Sequence, residues 1–130
     1  MKKKVMIIDD SAPIRMLLEV MFKREYDVVT AQDGLAAMAW LSQGNMVDLI
    51  VTDLAMPNIN GWELVEYLSE SHLYKNIPVV VLSGSLNDQS ESVTRLYLNV
   101  FDVIRKPFNP IELLERVKVI LDKQQLQVVA

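Results

Sequence analysis

The apolar positions of this chain change period several times, and the changes divide it into alternating short and long segments. Val5-Met6-Ile7-Ile8 is an unbroken apolar run stopped by Asp9-Asp10, the pattern of a strand buried on both faces. Over residues 13–24 the apolar side chains fall at Ile14, Leu17, Leu18, Met21 and Phe22, the spacing of a helix. Residues 27–31 read as a short strand. Asp33 is placed to cap a helix running through Leu35, Met38, Ala39 and Leu41 and stopping near Gly44. Leu49-Ile50-Val51 is a third apolar run, and it too ends at an aspartate, Asp53. Asn60 and Glu63 have capping-box spacing and open a helix through Trp62, Leu64, Val65 and Leu68. Residues 77–82 form a β-branched run ended by Ser83-Gly84-Ser85, after which Asn87 caps a polar helix anchored by Val93, Leu96 and Tyr97. Residues 101–104 read as a fifth strand, closed by Arg105-Lys106-Pro107. Asn109-Pro110-Ile111-Glu112 repeats the capping-box spacing with proline at the first helical position. The helix that follows carries Ile111, Leu113, Leu114, Val117, Ile120 and Leu121, and the tail after Asp122 has no pattern.

Five strands alternating with five helices predict a doubly wound α/β domain. Each strand is nearly all apolar, so the sheet is expected to be parallel and covered by helices on both faces; the strand order expected of it is the doubly wound 2-1-3-4-5. A length of 130 residues suits a single domain, with a core over about residues 4–123 and residues 124–130 as a tail or the start of a linker.

Composition narrows the chemistry. The chain has no cysteine and one histidine, His72, which excludes disulfides, iron–sulfur clusters, cysteine zinc sites and multi-histidine metal sites. A net charge of −4 argues against a nucleic-acid surface, which needs a dense basic stripe. Lys2-Lys3-Lys4 and the apolar residues after it do not make a signal peptide, because the run ends after four residues at Asp9. No segment approaches the roughly 20 apolar residues of a membrane span. The expected setting is soluble and cytoplasmic.

In an open parallel sheet all the carboxyl ends of the strands point to one edge, where ligands bind. Here those ends hold Asp9-Asp10, Asp53, Ser83 and Lys106, while the second strand ends in Ala31-Gln32. In the expected order the first and third strands are neighbours, so their aspartates share one pocket. Two like charges about 4 Å apart repel by about 4 kcal/mol at an effective dielectric near 20. Relief comes from a divalent cation, from protonation or from a neighbouring positive charge, and Lys106 supplies one such charge. Taken singly, each aspartate also suits a strand end, a turn or a cap. Together, acids, a hydroxyl and a lysine on one edge make a set suited to a phosphoryl group and a hard, oxygen-preferring cation, Mg2+ above all.

The segments MIIDDS, VTDLAMPNINGWEL, VVVLSGS and IRKPFNP resemble the receiver domain of two-component response regulators, in order and over essentially the whole chain from Lys4 to about Lys123. The resemblance implies a flavodoxin-like fold and makes Asp53 the phosphoacceptor, loaded from a histidine of a sensor kinase or a phosphotransfer protein. It makes Asp10 and Asp53 direct ligands of Mg2+, Asp9 a ligand through water, and the backbone carbonyl of Ala55 a further ligand. It gives Lys106 the role of pairing with Asp53 and then with the phosphoryl group, and Ser83 that of donating a hydrogen bond to it, with Gly84 leaving space alongside. Such a domain is a phosphoacceptor that assists its own reaction rather than an enzyme. Its output passes by protein contact to a downstream target or to an effector domain outside this chain.

The chain departs from the family pattern in places. Val103 stands where the family carries an aromatic switch residue, and Phe101 is expected on the same strand face by alternation. Asn99 and Val100 replace two residues that are usually small. Ala55 and Ser85 offer no charged group to position a water, which implies no fast self-dephosphorylation. Asp102, Glu112 and Arg116 match one family dimer's charged positions, but Ser92 and Phe101 do not complete the pairs. Trp40 and Trp62 are expected to pack, the seven methionines to fill core gaps, and His72 to lie on the surface. An aspartyl-nucleophile phosphatase would want Asp-x-Asp after the first strand, and a flavin domain a hydroxyl-rich loop there; Asp9-Asp10-Ser11 supplies neither. The alternative that Val103 leaves standing is an interaction module of this fold that acts independently of phosphorylation.

Overall fold

The computed structural model describes residues 2–84 and 97–129, with side chains as far as Gln124. The elements are β1 (Lys4–Ile8), α1 (Ala12–Phe22), β2 (Asp27–Ala31), α2 (Gly34–Ser42), β3 (Leu49–Asp53), α3 (Gly61–Glu70), β4 (Val79–Ser83), β5 (Val100–Arg105) and α4 (Pro110–Val129). The five strands form one parallel sheet, as their apolar runs lead one to expect, in the expected order β2-β1-β3-β4-β5. Four helices stand among the described residues where five are expected. The missing one, capped by Asn87, lies outside the described residues, as do Ser85 and Ser92. No helix among the described residues is long and apolar enough to cross a membrane.

Strand alternation sorts the core into two halves. Met6, Ile8, Ile50, Val79 and Val81 face α2 and α3, where they meet Ala37, Leu41, Leu64, Val65 and Leu68. Val5, Ile7, Leu49, Val51, Val80 and Leu82 face α1 and α4, where they meet Leu18, Phe22, Leu113, Val117 and Leu121. Asp33 caps α2 through the Ala36 N–H, and Asn60 with Glu63 forms the full capping box of α3. Asn109 caps α4 through the Ile111 N–H at 2.9 Å, but Glu112 pairs with Arg116 at 3.2 Å instead of closing a box.

Several expectations need correction. Leu17, Leu35 and Ile111 fit a helical stripe by spacing but are about half exposed or more, because each helix buries a narrower face than its apolar content allows. Met16 and Met46 are exposed as well, so the methionines do not all fill the core. The last helix continues past Asp122 to Val129. The register between β4 and β5 shifts between Val79, opposite Val100, and Val80, opposite Asp102. Phe101 is the extra residue of this bulge. The bulge breaks alternation, so Val100 and Val103 both join the α2/α3 half of the core. Phe101 stands 47% exposed beside Arg116 and Val119 of α4, not on the face of Val103. Trp40 and Trp62 pack against the core, and His72 is exposed, as expected.

Candidate functional site

The loops leaving the carboxyl ends of β1, β3, β4 and β5 bring the sequence-predicted residues to one edge. Asp9 and Asp53 are buried and Asp10 is exposed; one carboxylate oxygen from each lies within 4.8 Å of the others. Lys106 reaches in from the end of β5, its Nζ 3.0 Å from Asp53 Oδ2 and 3.7 Å from Asp9 Oδ2. Ser83 is buried at the end of β4, one residue beyond Leu82, which pairs with Asp53 across the β3–β4 ladder. The Lys106 N–H donates to the Ser83 carbonyl at 2.7 Å, which sets the root of the lysine beside the hydroxyl residue. Ala55 lies on the exposed loop two residues after Asp53.

Asp9 is held on three sides. Its N–H donates to the Ala31 carbonyl at 3.2 Å, its carbonyl accepts from Arg15 at 2.7 Å, and its Oδ1 accepts from the Ser11 N–H at 2.8 Å. Its Oδ2 is buried and, among the described residues, has no hydrogen-bond partner: Lys106 at 3.7 Å is an ion pair too long for one. A buried acceptor left open is costly, and this one opens onto two further carboxylates. An all-oxygen set of this kind fits a hard divalent cation. Zinc-type ligation by thiolates or clustered imidazoles has no donors here, since the chain has no cysteine and its one histidine, His72, is exposed.

Burial pushes the Asp9 carboxyl above its ordinary value of 3.8, and neighbouring Asp53 and Asp10 add to the rise; the Ser11 N–H and Lys106 oppose it. Asp9 therefore holds its proton more tightly folded than unfolded. Its contribution favours the folded state below the unfolded carboxyl range and is lost as pH rises through the raised folded value. Asp9→Asn carries no charge at any pH. In chelator it is expected to melt above the parent at neutral pH, with the gap closing as pH falls toward 3.8. Thermal melts across pH check this, and a gap that ignores pH contradicts it.

Two features of the site escape sequence reasoning. Gly61 opens α3 so close to β3 that a Cβ there would lie 2.6 Å from the Asp53 carbonyl oxygen and 2.8 Å from Leu54 Cα. Asn58, at φ 69°, donates from Nδ2 to Asp33 Oδ2 at 3.2 Å. The Pro57-Asn58 pair signals a turn, but nothing local says that Asp33 is its partner. At Gly84, among the described residues, a Cβ would meet only Lys106 Cδ, at an ordinary 3.9 Å.

The family model for the response regulator receiver domain matches residues 5–118. The response regulator GtcR of Aneurinibacillus migulanus is 35% identical over 119 residues, covering 91% of this chain and 47% of that protein. The alkaline phosphatase synthesis transcriptional regulatory protein PhoP of Bacillus subtilis is 34% identical over 127 residues, covering 97% of this chain and 51% of that protein. The chain thus spans about half the length of these curated relatives. Among solved structures, the receiver domain of the Francisella response regulator 1452 superposes with a TM-score of 0.80 at 30% identity, covering 94% of this chain and 98% of that one.

Proposed function

Because this chain belongs to the receiver domains of two-component response regulators, we propose that its acidic edge is a phosphoryl switch with Asp53 as the acceptor. The observation that carries the assignment is the 3.0 Å pairing of Lys106 with Asp53 beside the open oxygen of Asp9. An oxygen of the Asp53 carboxylate attacks the phosphorus of a phosphohistidine; an O–P bond forms, the P–N bond breaks, and the imidazole leaves with the electron pair and takes a proton. Negative charge gathers on the three phosphoryl oxygens as this happens. Lys106 is already placed to leave the carboxylate for one of them, and Ser83 supplies a hydroxyl donor at the next strand end.

Asp10, Asp53 and the Ala55 carbonyl would hold Mg2+ directly, and Asp9 through water. Bound there, Mg2+ neutralises phosphoryl oxygens as a Lewis acid. Asp9 and Lys106 set the charge balance of the pocket: the lysine offsets one carboxylate, and the cation is needed for the others. Ala55 and Ser85 carry no charged group to direct a water at the aspartyl phosphate, so the phosphorylated state is slow to hydrolyse itself. The phosphoryl donor is a histidine kinase or a phosphotransfer protein in the cytoplasm. Residues 4–123 act as one receiver unit, and output passes by protein contact or through an effector domain outside this chain.

Intact mass after incubation with acetyl phosphate tests the assignment. One phosphoryl adduct is expected with Mg2+, none in chelator, and none in Asp53→Asn. An unmodified parent that nonetheless binds Mg2+ would instead support an interaction module independent of phosphorylation.

A further inference from the structure

Residues 55–60 bridge β3 and α3, and both ends of the bridge are fixed. The Leu54 N–H donates to the Leu82 carbonyl at 3.1 Å, and the Gly61 N–H donates to the Leu54 carbonyl at 2.9 Å. Among the described residues, the loop makes one hydrogen bond to an element other than the two it joins, from Asn58 Nδ2 to Asp33 Oδ2. Asp33 is buried, and its other oxygen caps α2 by accepting the Ala36 N–H at 2.8 Å. One carboxylate therefore ties the start of α2 to the loop that follows Asp53. Asn58 occupies the left-handed region, which a non-glycine residue keeps only where its surroundings hold it. Beside it, Ile59 lies so close to Gly34 that a Cβ on that glycine would stand 3.1 Å from Ile59 Cγ2.

We propose that Asp33 and Asn58 are positioning residues for the metal-dependent reaction. Their hydrogen bond fixes loop 55–60 on α2, so that the Ala55 carbonyl is aimed before the cation arrives. The proposal rests on the reading of the site given above. A carbonyl on a loop free to rock must be ordered at the moment of binding, and that ordering weakens affinity. Partners one step removed from a ligand typically change metal affinity or activity by about 10–100-fold when lost.

Three substitutions separate positioning from stability and from charge. Asn58→Gly removes the hydrogen bond while relieving the left-handed backbone, and it leaves Asp33 charged. Asp33→Ser keeps an N-cap acceptor but is too short to reach Asn58. Asp33→Asn loses the charge yet can keep both contacts, its oxygen on Ala36 and its amide on an Asn58 side chain turned over. The measurement is phosphoryl uptake from acetyl phosphate as a function of Mg2+, with Mg2+ binding by calorimetry and thermal melts alongside. Asn58→Gly and Asp33→Ser are expected to raise the Mg2+ half-saturation about tenfold, to reach the parent's plateau at saturating Mg2+, and to melt close to the parent. Asp33→Asn is expected to titrate with the parent. If Asn58→Gly titrates with the parent, or Asp33→Asn shifts as far as Asp33→Ser, positioning by this hydrogen bond is overturned. A parent that takes no adduct at all overturns the phosphoacceptor reading instead.

Discussion

Lys106→Met should make the folded protein lean on a divalent cation. The lysine side chain is three-quarters buried and sits 3.0 Å from one carboxylate and 3.7 Å from another, both themselves buried. Removing one partner of a buried ion pair leaves uncompensated charge and costs about 3–5 kcal/mol, a large part of the roughly 5–15 kcal/mol that holds a domain together. Methionine keeps the length and apolar stem of the side chain, so the loss is chiefly electrostatic. A cation at the site also gains affinity once the competing ammonium is gone, and binding to the folded state alone stabilises by about 2.7 kcal/mol at a hundred times Kd. In chelator the variant should therefore melt well below the parent, and Mg2+ should raise its Tm by more than it raises the parent's. Phosphoryl uptake should fall at the same time, since no ammonium meets the incoming oxygens. Equal Mg2+ increments in both proteins would show that the lysine does not compete for the site.

Gly61→Ala should cost about 3 kcal/mol, which for a domain of this size lowers Tm by about 10 °C. Helix propensity alone argues the other way, since alanine is favoured over glycine by about 1 kcal/mol within a helix. Contact decides the sign. The new methyl would meet the Asp53 carbonyl oxygen at 2.6 Å and Leu54 Cα at 2.8 Å, both backbone atoms that cannot swing aside. The repair has to move α3 off β3, and the carbonyl displaced belongs to the proposed phosphoacceptor, so phosphoryl uptake should drop with stability. Gly84→Ala is the control: among the described residues its methyl meets only Lys106 Cδ, at 3.9 Å, and its melting point should stay near the parent's. Thermal melts of the pair check the argument, and similar losses in both would remove the close approach at Gly61 as its cause.

The strands β1, β3 and β4 were legible because each is a short apolar run that ends abruptly in a charged or hydroxyl residue. Parallel sheets buried on both faces demand such runs, and chain order then puts all their ends on one edge. Asp9, Asp53, Ser83 and Lys106 follow from that rule without any knowledge of distances. The capping residues Asp33 and Asn60 were legible for a similar reason: the groups they satisfy lie two or three residues away in sequence.

What escaped the sequence depends on pairs far apart in it. Asn58 and Asp33 meet only because α2 and the loop after β3 share an edge of the sheet. The closeness of Gly61 to the Asp53 carbonyl is a matter of how α3 is set down on β3, and a glycine after a capping asparagine carries no mark of it. Phe101 was misplaced because alternation assumes an even ladder, and the shift at Val79/Val80 breaks it by one residue. The exposed Leu17 and Leu35 show a different limit: periodicity gives the direction of a helical face, while the breadth of that face is set by what the sheet offers beneath it.

Sheet order also bears on the making of the protein. β1 and β3 lie at the middle of the sheet, whereas β5 is an edge strand and the last in the chain. Asp53 and Lys106 are therefore neighbours in space but 53 residues apart in synthesis (106 − 53). At about 5–20 residues per second, a growing chain carries its acidic trio for several seconds before the lysine that offsets it exists. Closing the edge of the sheet and balancing the charge of its pocket are one event. A chain cut short before that strand loses more than a rung of the ladder, because its central strands end in carboxylates that nothing from the chain's end has arrived to calm.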